Sequence, residues 1–359
     1  MADTVIAQGI TPDRGYQDAV LYLGIEKAYE LSQDEKYLDW YKGQIEGPVV
    51  QEDGTIKGWN YTRWVLDEYR MGHNYLYLYD QTGDGKFKSA ADIVRHMLYD
   101  YPRTPSGGFW HQQFFPDQMW LDGIYMADSF YAQWTHLYDK NNQTAWDDIL
   151  LQYELIDTHT RNQTSDLHVH GWAETDRAPW ADAATGRAPN VWGRALGWYF
   201  MSLVEVLQFF PTQHSGHDQL LEYFVSLARG LKRARDPSSG NWWQVMNEPY
   251  PGQRGNFIES SASAMFTWGL LKGIDLGHLD HTEFMQTARD SYLSLVDNFI
   301  TEADDGTLTL NGTVAECGLL SSNVTFEYYI SRPTLLNGQN GVGPFMLAAY
   351  EWETWAKDA

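Results

Sequence analysis

Short and long connections alternate between the helical segments of this chain, and few folds accommodate that pattern. From Tyr16 to Leu31 apolar residues recur every three or four positions (Ala19, Val20, Leu23, Ile25, Ala28, Leu31), the period of one buried helix face. Similar patterns run over 2–8, 34–46, 60–80, 86–100, 119–139, 143–159, 191–210, 216–235, 259–276, 281–300 and 342–356, which predicts about twelve helices. Tight polar turns interrupt them at Ser32-Gln33-Asp34, Gln81 to Gly85, Asp139 to Asn142, Pro211 to Gly216 and Gly277 to Asp280. Between these turns lie longer aromatic- and Gly-rich connections at 47–59, 101–118, 161–190, 236–258 and 301–341. Similar helix ends precede several turns, as in Leu76-Tyr77-Leu78-Tyr79-Asp80 and Thr135-His136-Leu137-Tyr138-Asp139, a weak repeat of helical hairpins. Six such hairpins in a ring make an all-α, double-layered (α/α)6 barrel. Its long connections would gather at one end and carry the function. No Pro/Ser-rich linker divides the chain, so residues 1–359 read as one domain, with an open helical solenoid as the alternative.

Composition narrows the function classes. A net charge of −23 argues against nucleic acid, because nothing in it offsets phosphate repulsion. Hydrophobic content of 43% with 15% aromatics is not that of a disordered chain. No segment approaches the ~18 apolar residues needed to cross a bilayer. Cys317 is the single cysteine, so no intrachain disulfide forms. Met1 to Ala7 lacks the basic and apolar regions of a signal peptide and reads as a helix already under way, as in a chain whose leader has been trimmed. Asn-x-Thr sequons at Asn60, Asn142, Asn162, Asn311 and Asn323 favour a secreted protein, with a cytoplasmic one as the alternative.

The long connections hold the residues that can do chemistry. Gly107-Gly108-Phe109-Trp110-His111 leads into Gln118-Met119-Trp120-Leu121-Asp122-Gly123-Ile124-Tyr125-Met126. His168-Val169-His170-Gly171-Trp172 follows, then Trp192-Gly193-Arg194-Ala195-Leu196-Gly197-Trp198 at the start of a helix. Tryptophan rings beside Asp, His, Arg and Gly suit a carbohydrate, because aromatic faces stack on sugar C–H faces while polar groups bind hydroxyls. Single Trp residues are more often core, but here the cluster is dense and confined to loops and helix starts.

Asp122 sits at a helix start between Trp120 and Tyr125, where packing would desolvate a carboxylate and raise its pKa, as a general acid requires. A helix-capping aspartate is the ordinary alternative. Asp67, in Trp64-Val65-Leu66-Asp67, falls on a predicted inner helix, where Arg63 or Arg70 could pair with it. Arg194 offers a fork for a carboxylate, and with His111 and His170 it could form a cationic island in an acidic protein. A buried pair with Glu205 or Asp182 is its alternative. His168 and His170 lack a third metal ligand at a telling distance. Asp80 to Lys86 lacks calcium-loop spacing and reads as an interhelical turn. Phosphate-loop, dinucleotide and nucleophile-elbow motifs are absent, and Cys317 reads as packing. No cofactor or metal is called for.

Together with Glu259-Ser260-Ser261-Ala262-Ser263-Ala264-Met265-Phe266 and Gly341-Val342-Gly343-Pro344-Phe345, these strings resemble the unsaturated rhamnogalacturonyl hydrolases, glycoside hydrolase family 105. Less closely they resemble the unsaturated glucuronyl hydrolases of family 88. The resemblance spans nearly the whole chain and implies the (α/α)6 barrel. It also implies an oligosaccharide substrate bearing a 4,5-unsaturated uronate. Asp122 would then protonate C4 of the enol ether, with Asp67 as the second acidic residue. His170, Arg194 and Trp198 match substrate-binding positions, Arg194 for the uronate carboxylate and Trp198 for stacking; His111 fits a hydroxyl, and Trp120 and Trp192 complete the aromatic wall. Gln112 and Asn340 stand where the family commonly has basic residues, which leaves the neighbouring sugar and the choice of galacturonyl or glucuronyl open. An inverting glycosidase, a lyase on the same barrel and a non-catalytic binder are the competing readings.

Overall fold

The structure is a computed structural model that describes residues 1–175, 177–320 and 324–358. The sequon at Asn323 therefore lies outside the described residues. In chain order the helices are α1 (Ala2–Gln8), α2 (Tyr16–Ser32), α3 (Glu35–Ile45), α4 (Gly72–Thr82), α5 (Gly85–Met97), α6 (Leu121–Gly123), α7 (Ser129–Tyr138) and α8 (Gln143–Thr160). They continue with α9 (Gly193–Phe209), α10 (His217–Ala234), α11 (Ser260–Asp275), α12 (His281–Phe299), α13 (Phe326–Ile330) and α14 (Gln339–Asp358). Short antiparallel pairs join β1 (Gln118–Trp120) to β2 (Gly171–Ala173), β3 (Ile300–Glu302) to β4 (Leu308–Leu310), and β5 (Thr313–Val314) to β6 (Thr334–Leu335).

The predicted turns work by capping. Asp34 accepts from Lys36 N, Asp84 from Lys86 N, Asn142 from Ala145 N and Asp280 from Glu283 N, each satisfying an orphan donor of the helix that follows. Gln33 and Gly83 end the preceding helices in the left-handed conformation. The Asp80 to Lys86 segment is therefore a hairpin turn.

Packing closes the hairpins into an (α/α)6 barrel. α2 packs on α4, α4 on α7, α7 on α9, α9 on α11, α11 on α14, and α14 returns to α2. α3, α5, α8, α10 and α12 each cover the inner helix before them, and α1 lies on α2. Almost every residue of α9 and α11 is buried, as inner position requires. The closing joint is tight: a Cβ on Gly343 of α14 would collide with the carbonyl oxygen of Val20 in α2.

Two predicted boundaries shift. The helix expected over 60–80 begins at Gly72, and Asp67 instead sits on a short 3-10 turn, Leu66–Glu68. Val65 bridges Gln112, and Leu66 N donates to His111 O at 3.1 Å, so backbone pairing holds this stretch out of the helix. The segment expected over 119–139 opens as strand β1, and a π-helical turn, Ile124–Asp128, joins α6 to α7. Replacing Gly343 by Ala should weaken the α14–α2 joint and lower stability by about 1–3 kcal/mol in chemical denaturation, with secondary structure retained.

Candidate active site

Backbone pairing among the long connections assembles the site. β1 pairs with β2 so that Trp120 lies opposite Gly171. Leu121 N donates to His170 O at 3.0 Å, which sets Asp122 beside His170 although they are 48 residues apart. His111 N donates to Gln118 O at 2.8 Å, and with the Leu66–His111 bond this brings Asp67 to the same place. The result is a cavity of about 160 Å³ lined by Tyr16, Asp67, His111, Gln112, Trp120 and Asp122, with Met126, Trp192 and Trp198 beyond them. Residues 316–318 and Leu320 form the remaining wall. A wider depression of about 830 Å³ lies near Trp172 and Arg187. There His159 stacks on Trp172 at 3.8 Å, and Glu174 and Asp182 bond to Ser106 and to their own loop. Among the described residues it has no comparable pair of available carboxyls, so we place the site in the smaller cavity.

The two aspartates differ in surroundings. Burial, reinforced by the charge of Asp122, pushes the Asp67 carboxyl up to about 7, against a lowering hydrogen bond from Gln112 Nε2 at 2.9 Å. Sequence reasoning had not singled out Asp67 as a raised carboxyl; its side chain is 24% exposed, against 14% for Asp122. Neither Arg63 nor Arg70 pairs with Asp67: Arg63 binds Glu68 and Arg70 binds Glu205. Asp122 Oδ2 meets His170 Nε2 at 3.1 Å, and His170 Nδ1 meets the Tyr329 hydroxyl at 2.8 Å.

The aromatic wall is braced. Trp120 stacks on His111 (4.1 Å) and on Phe115 (5.1 Å). Trp198 rests one face on Tyr125 at 4.8 Å, and Trp192 donates its indole N–H to Gln244 at 3.1 Å. Beneath Tyr125, the Arg70 guanidinium lies 3.7 Å from the ring centre and donates to Glu205 at 2.6 and 2.7 Å. It also donates to Tyr125 O at 3.3 Å, within the π-helical turn that follows Asp122. Burial alone would raise Glu205, but Arg70 outweighs it and holds this carboxyl below its usual range.

The cationic island does not form. Burial pushes His111 down to about 4, leaving it neutral near pH 7, and its ring lies 3.7 Å from Asp67 Oδ1. Arg194 is buried and does not line the cavity. It pairs with neither Glu205 nor Asp182. Nε donates to Ser261 Oγ at 2.8 Å, Nη1 to Ala315 O at 3.0 Å, and Nη2 to Val314 O, with Glu259 at 3.6 Å. Glu259 caps α11 and accepts from Val314 N at 2.9 Å. Arg194 and Glu259 thus clamp β5, from which the 316–320 wall continues. His168 bonds to Asp157 at 3.0 Å and not to His170. Asn340 is buried on α14, outside the cavity wall, whereas Gln112 is part of that wall. Cys317 faces the cavity with its thiol pushed up to about 12 by burial.

Sequence reasoning missed Tyr16, Glu316, Met126 and Tyr329. The first two stand in segments without a motif, and Met126 was quoted only as part of a string. Tyr329 is 159 residues from His170, and no local pattern announces that contact.

Two substitutions test these roles. Asp67 titrates near 3.9 in an unfolded chain, so its raised native value makes stability fall as pH rises from about 4 to about 7. Asp67→Asn should therefore leave stability nearly unchanged at pH 4 and raise it by about 4 kcal/mol at pH 8, read from paired denaturation curves. Arg194→Met should cost about 3–5 kcal/mol, because it strands buried Glu259. An unchanged melting temperature would mean that Arg194 does not hold the wall.

The model of the family described as Glycosyl Hydrolase Family 88 matches residues 3–356. A solved family 105 glycoside hydrolase from C. acetobutylicum ATCC 824 is 34% identical, covers 98% of both chains and superposes with a TM-score of 0.94. Unsaturated rhamnogalacturonyl hydrolase YesR of Bacillus subtilis is 23% identical over 81% of this chain and 79% of its own. Protein Atu3128 of Agrobacterium fabrum is 34% identical over 52% of this chain and 81% of its own. Barrel, cavity and these likenesses agree, and the chain belongs to the family 88 and family 105 group of glycoside hydrolases.

Proposed function

We propose that the enzyme removes a 4,5-unsaturated galacturonyl or glucuronyl residue from the non-reducing end of lyase-generated oligosaccharides, with rhamnose as the neighbouring sugar. The observation that carries this reading is the paired Asp67 and Asp122 in one small aromatic cavity. At about 160 Å³ it is below the ~300–1,000 Å³ of sites for drug-sized ligands. That size suits one terminal sugar rather than a continuous chain. YesR, whose name states action on unsaturated rhamnogalacturonyl substrates, supports the same substrate class.

In the proposed reaction Asp122 gives a proton to C4 of the enol ether, and the π electrons of C4=C5 form the new C–H bond. Positive charge develops at C5 and the ring oxygen. Water adds at C5 and returns a proton to the carboxylate pair. The hemiketal then opens to a 5-keto uronate, and C1 releases the neighbouring sugar as an alcohol. Two close carboxyls, one raised toward neutral pH, can hold the required proton between them. Trp198 and Trp192 offer ring surface to the sugar, and His111, Gln112 and Tyr16 offer polar atoms to its hydroxyls. The assay is loss of the ultraviolet absorbance of the conjugated double bond on unsaturated uronyl-rhamnose disaccharides. Asp122→Asn should abolish that loss, by at least about 100-fold, while the protein stays folded. A rise in absorbance from intact polysaccharide would identify a lyase instead, and no change on any unsaturated uronide would leave a binder.

A further inference from the structure

Tyr329 stands on α13, in the last long connection, and nothing in the proposed reaction uses it. It is buried completely, as is His170. Its hydroxyl has one hydrogen-bond partner among the described residues, His170 Nδ1 at 2.8 Å. A buried hydroxyl proton needs an acceptor. If Tyr329 accepted from Nδ1–H, its own proton would be left unpaired. If it donates, the imidazole proton resides on Nε2, which faces Asp122 Oδ2 at 3.1 Å. Both ends of the ring therefore favour one tautomer. Asp122 lines the cavity, and its Oδ1 takes no hydrogen bond from any described residue.

We infer that Tyr329 is a positioning residue for hydration: its O–H···Nδ1 bond holds the His170 proton on Nε2, which occupies Asp122 Oδ2 and confines the transferable proton of Asp122 to Oδ1. This rests on the reading of Asp122 as the proton donor. With the opposite tautomer a protonated Asp122 would donate from Oδ2 into Nε2, and its proton would point away from the sugar. When Oδ1 gives its proton to C4, the carboxylate that remains still accepts from Nε2–H, and that bond becomes charge-assisted as the oxocarbenium forms.

The surroundings leave this arrangement intact near neutral pH. Trp120 presents an edge to His170 at 5.9 Å and Trp192 a tilted face at 4.9 Å. Across the cavity stand Asp67, His111 and Glu316, and His111 is neutral for the reason given above. Cys317 lies close enough to Tyr329 to interact electrostatically, and Tyr328 stacks edge-on to it at 5.2 Å. The high thiol value keeps Cys317 uncharged. Burial keeps the Tyr329 hydroxyl protonated, and so able to donate.

The test uses the full chain with 15N-labelled histidine. The His170 signals are assigned by their loss in His170→Asn. Ring-nitrogen spectra of the ligand-free wild type should show His170 protonated at Nε2, and Tyr329→Phe should show a mixture of tautomers. Turnover of the unsaturated disaccharide by Tyr329→Phe should fall about tenfold or more in kcat, with KM within about twofold, because only proton placement changes. Adding Tyr329→Phe to His170→Asn should cost nothing further, since the hydroxyl acts through the imidazole. An Nδ1–H tautomer in the wild type overturns the inference, as do losses that multiply in the double variant. The wild-type spectrum decides even where Tyr329→Phe does not fold. A wild type that leaves the double bond intact overturns the functional reading. A wild type that hydrates it with the reverse tautomer overturns only this inference.

Discussion

Backbone hydrogen bonds between loops, rather than contacts between helices, give this molecule its site. One run links Leu66 to His111, His111 to Gln118, Leu121 to His170, and His170 to Asn190; another joins Gly193 to Gln244 and Met246 to Val191. Each bond is ordinary in strength, with a net contribution of about 1 kcal/mol. Together they fix the register of four separate connections at one end of the barrel. Asp67, Asp122 and His170 each sit on or next to a residue in this belt. Helix packing tolerates shifts of an ångström, whereas a ladder of paired amides does not. That difference is why residues far apart in the chain meet at hydrogen-bond distance.

The barrel supplies what the belt cannot, a rigid and dry floor. Arg70 and Glu205 are a buried ion pair whose guanidinium also supports Tyr125, and Tyr125 supports Trp198. Buried pairs of this kind add little net stability, but losing one partner is costly. Their effect here is geometric: the ring that faces the cavity is held from below. On the opposite side Arg194 and Glu259 hold the strand that leads into the cavity wall. Charged groups thus brace the site from two directions, while the cavity itself is lined by carboxyls, rings and neutral polar groups.

Much of this was legible in the sequence, and the exceptions have physical causes. The hairpins could be read because capping is local: Asp34, Asp84, Asn142 and Asp280 announce helix starts within a few residues. The strings around Asp122, His170 and Trp192 were readable as a cluster: Asp122 and Trp192 line one cavity, and buried His170 bonds to Asp122 without lining it. The surroundings of Asp67 were not readable, because the apolar period of 60–80 continues through a stretch that pairs with Gln112 and His111 instead of coiling. Arg194 misled for a related reason. An arginine at the start of an inner helix can face the lumen or the neighbouring strand, and only the position of Val314 and Ala315 decides between them. Tyr329 carries no signal at all, since its partner is fixed by tertiary structure alone.

The joint between α14 and α2 also bears on how the protein is made. During synthesis the α2 face that receives Gly343 and Met346 stays uncovered until α14, more than 300 residues later, has left the ribosome. The cavity wall at 316–320 and Tyr329 on α13 also emerge late. Early hairpins can form as they appear, because their contacts are local. The closed ring cannot, so nascent chains pass through a period with an open apolar seam, the state in which aggregation or chaperone capture competes with completion.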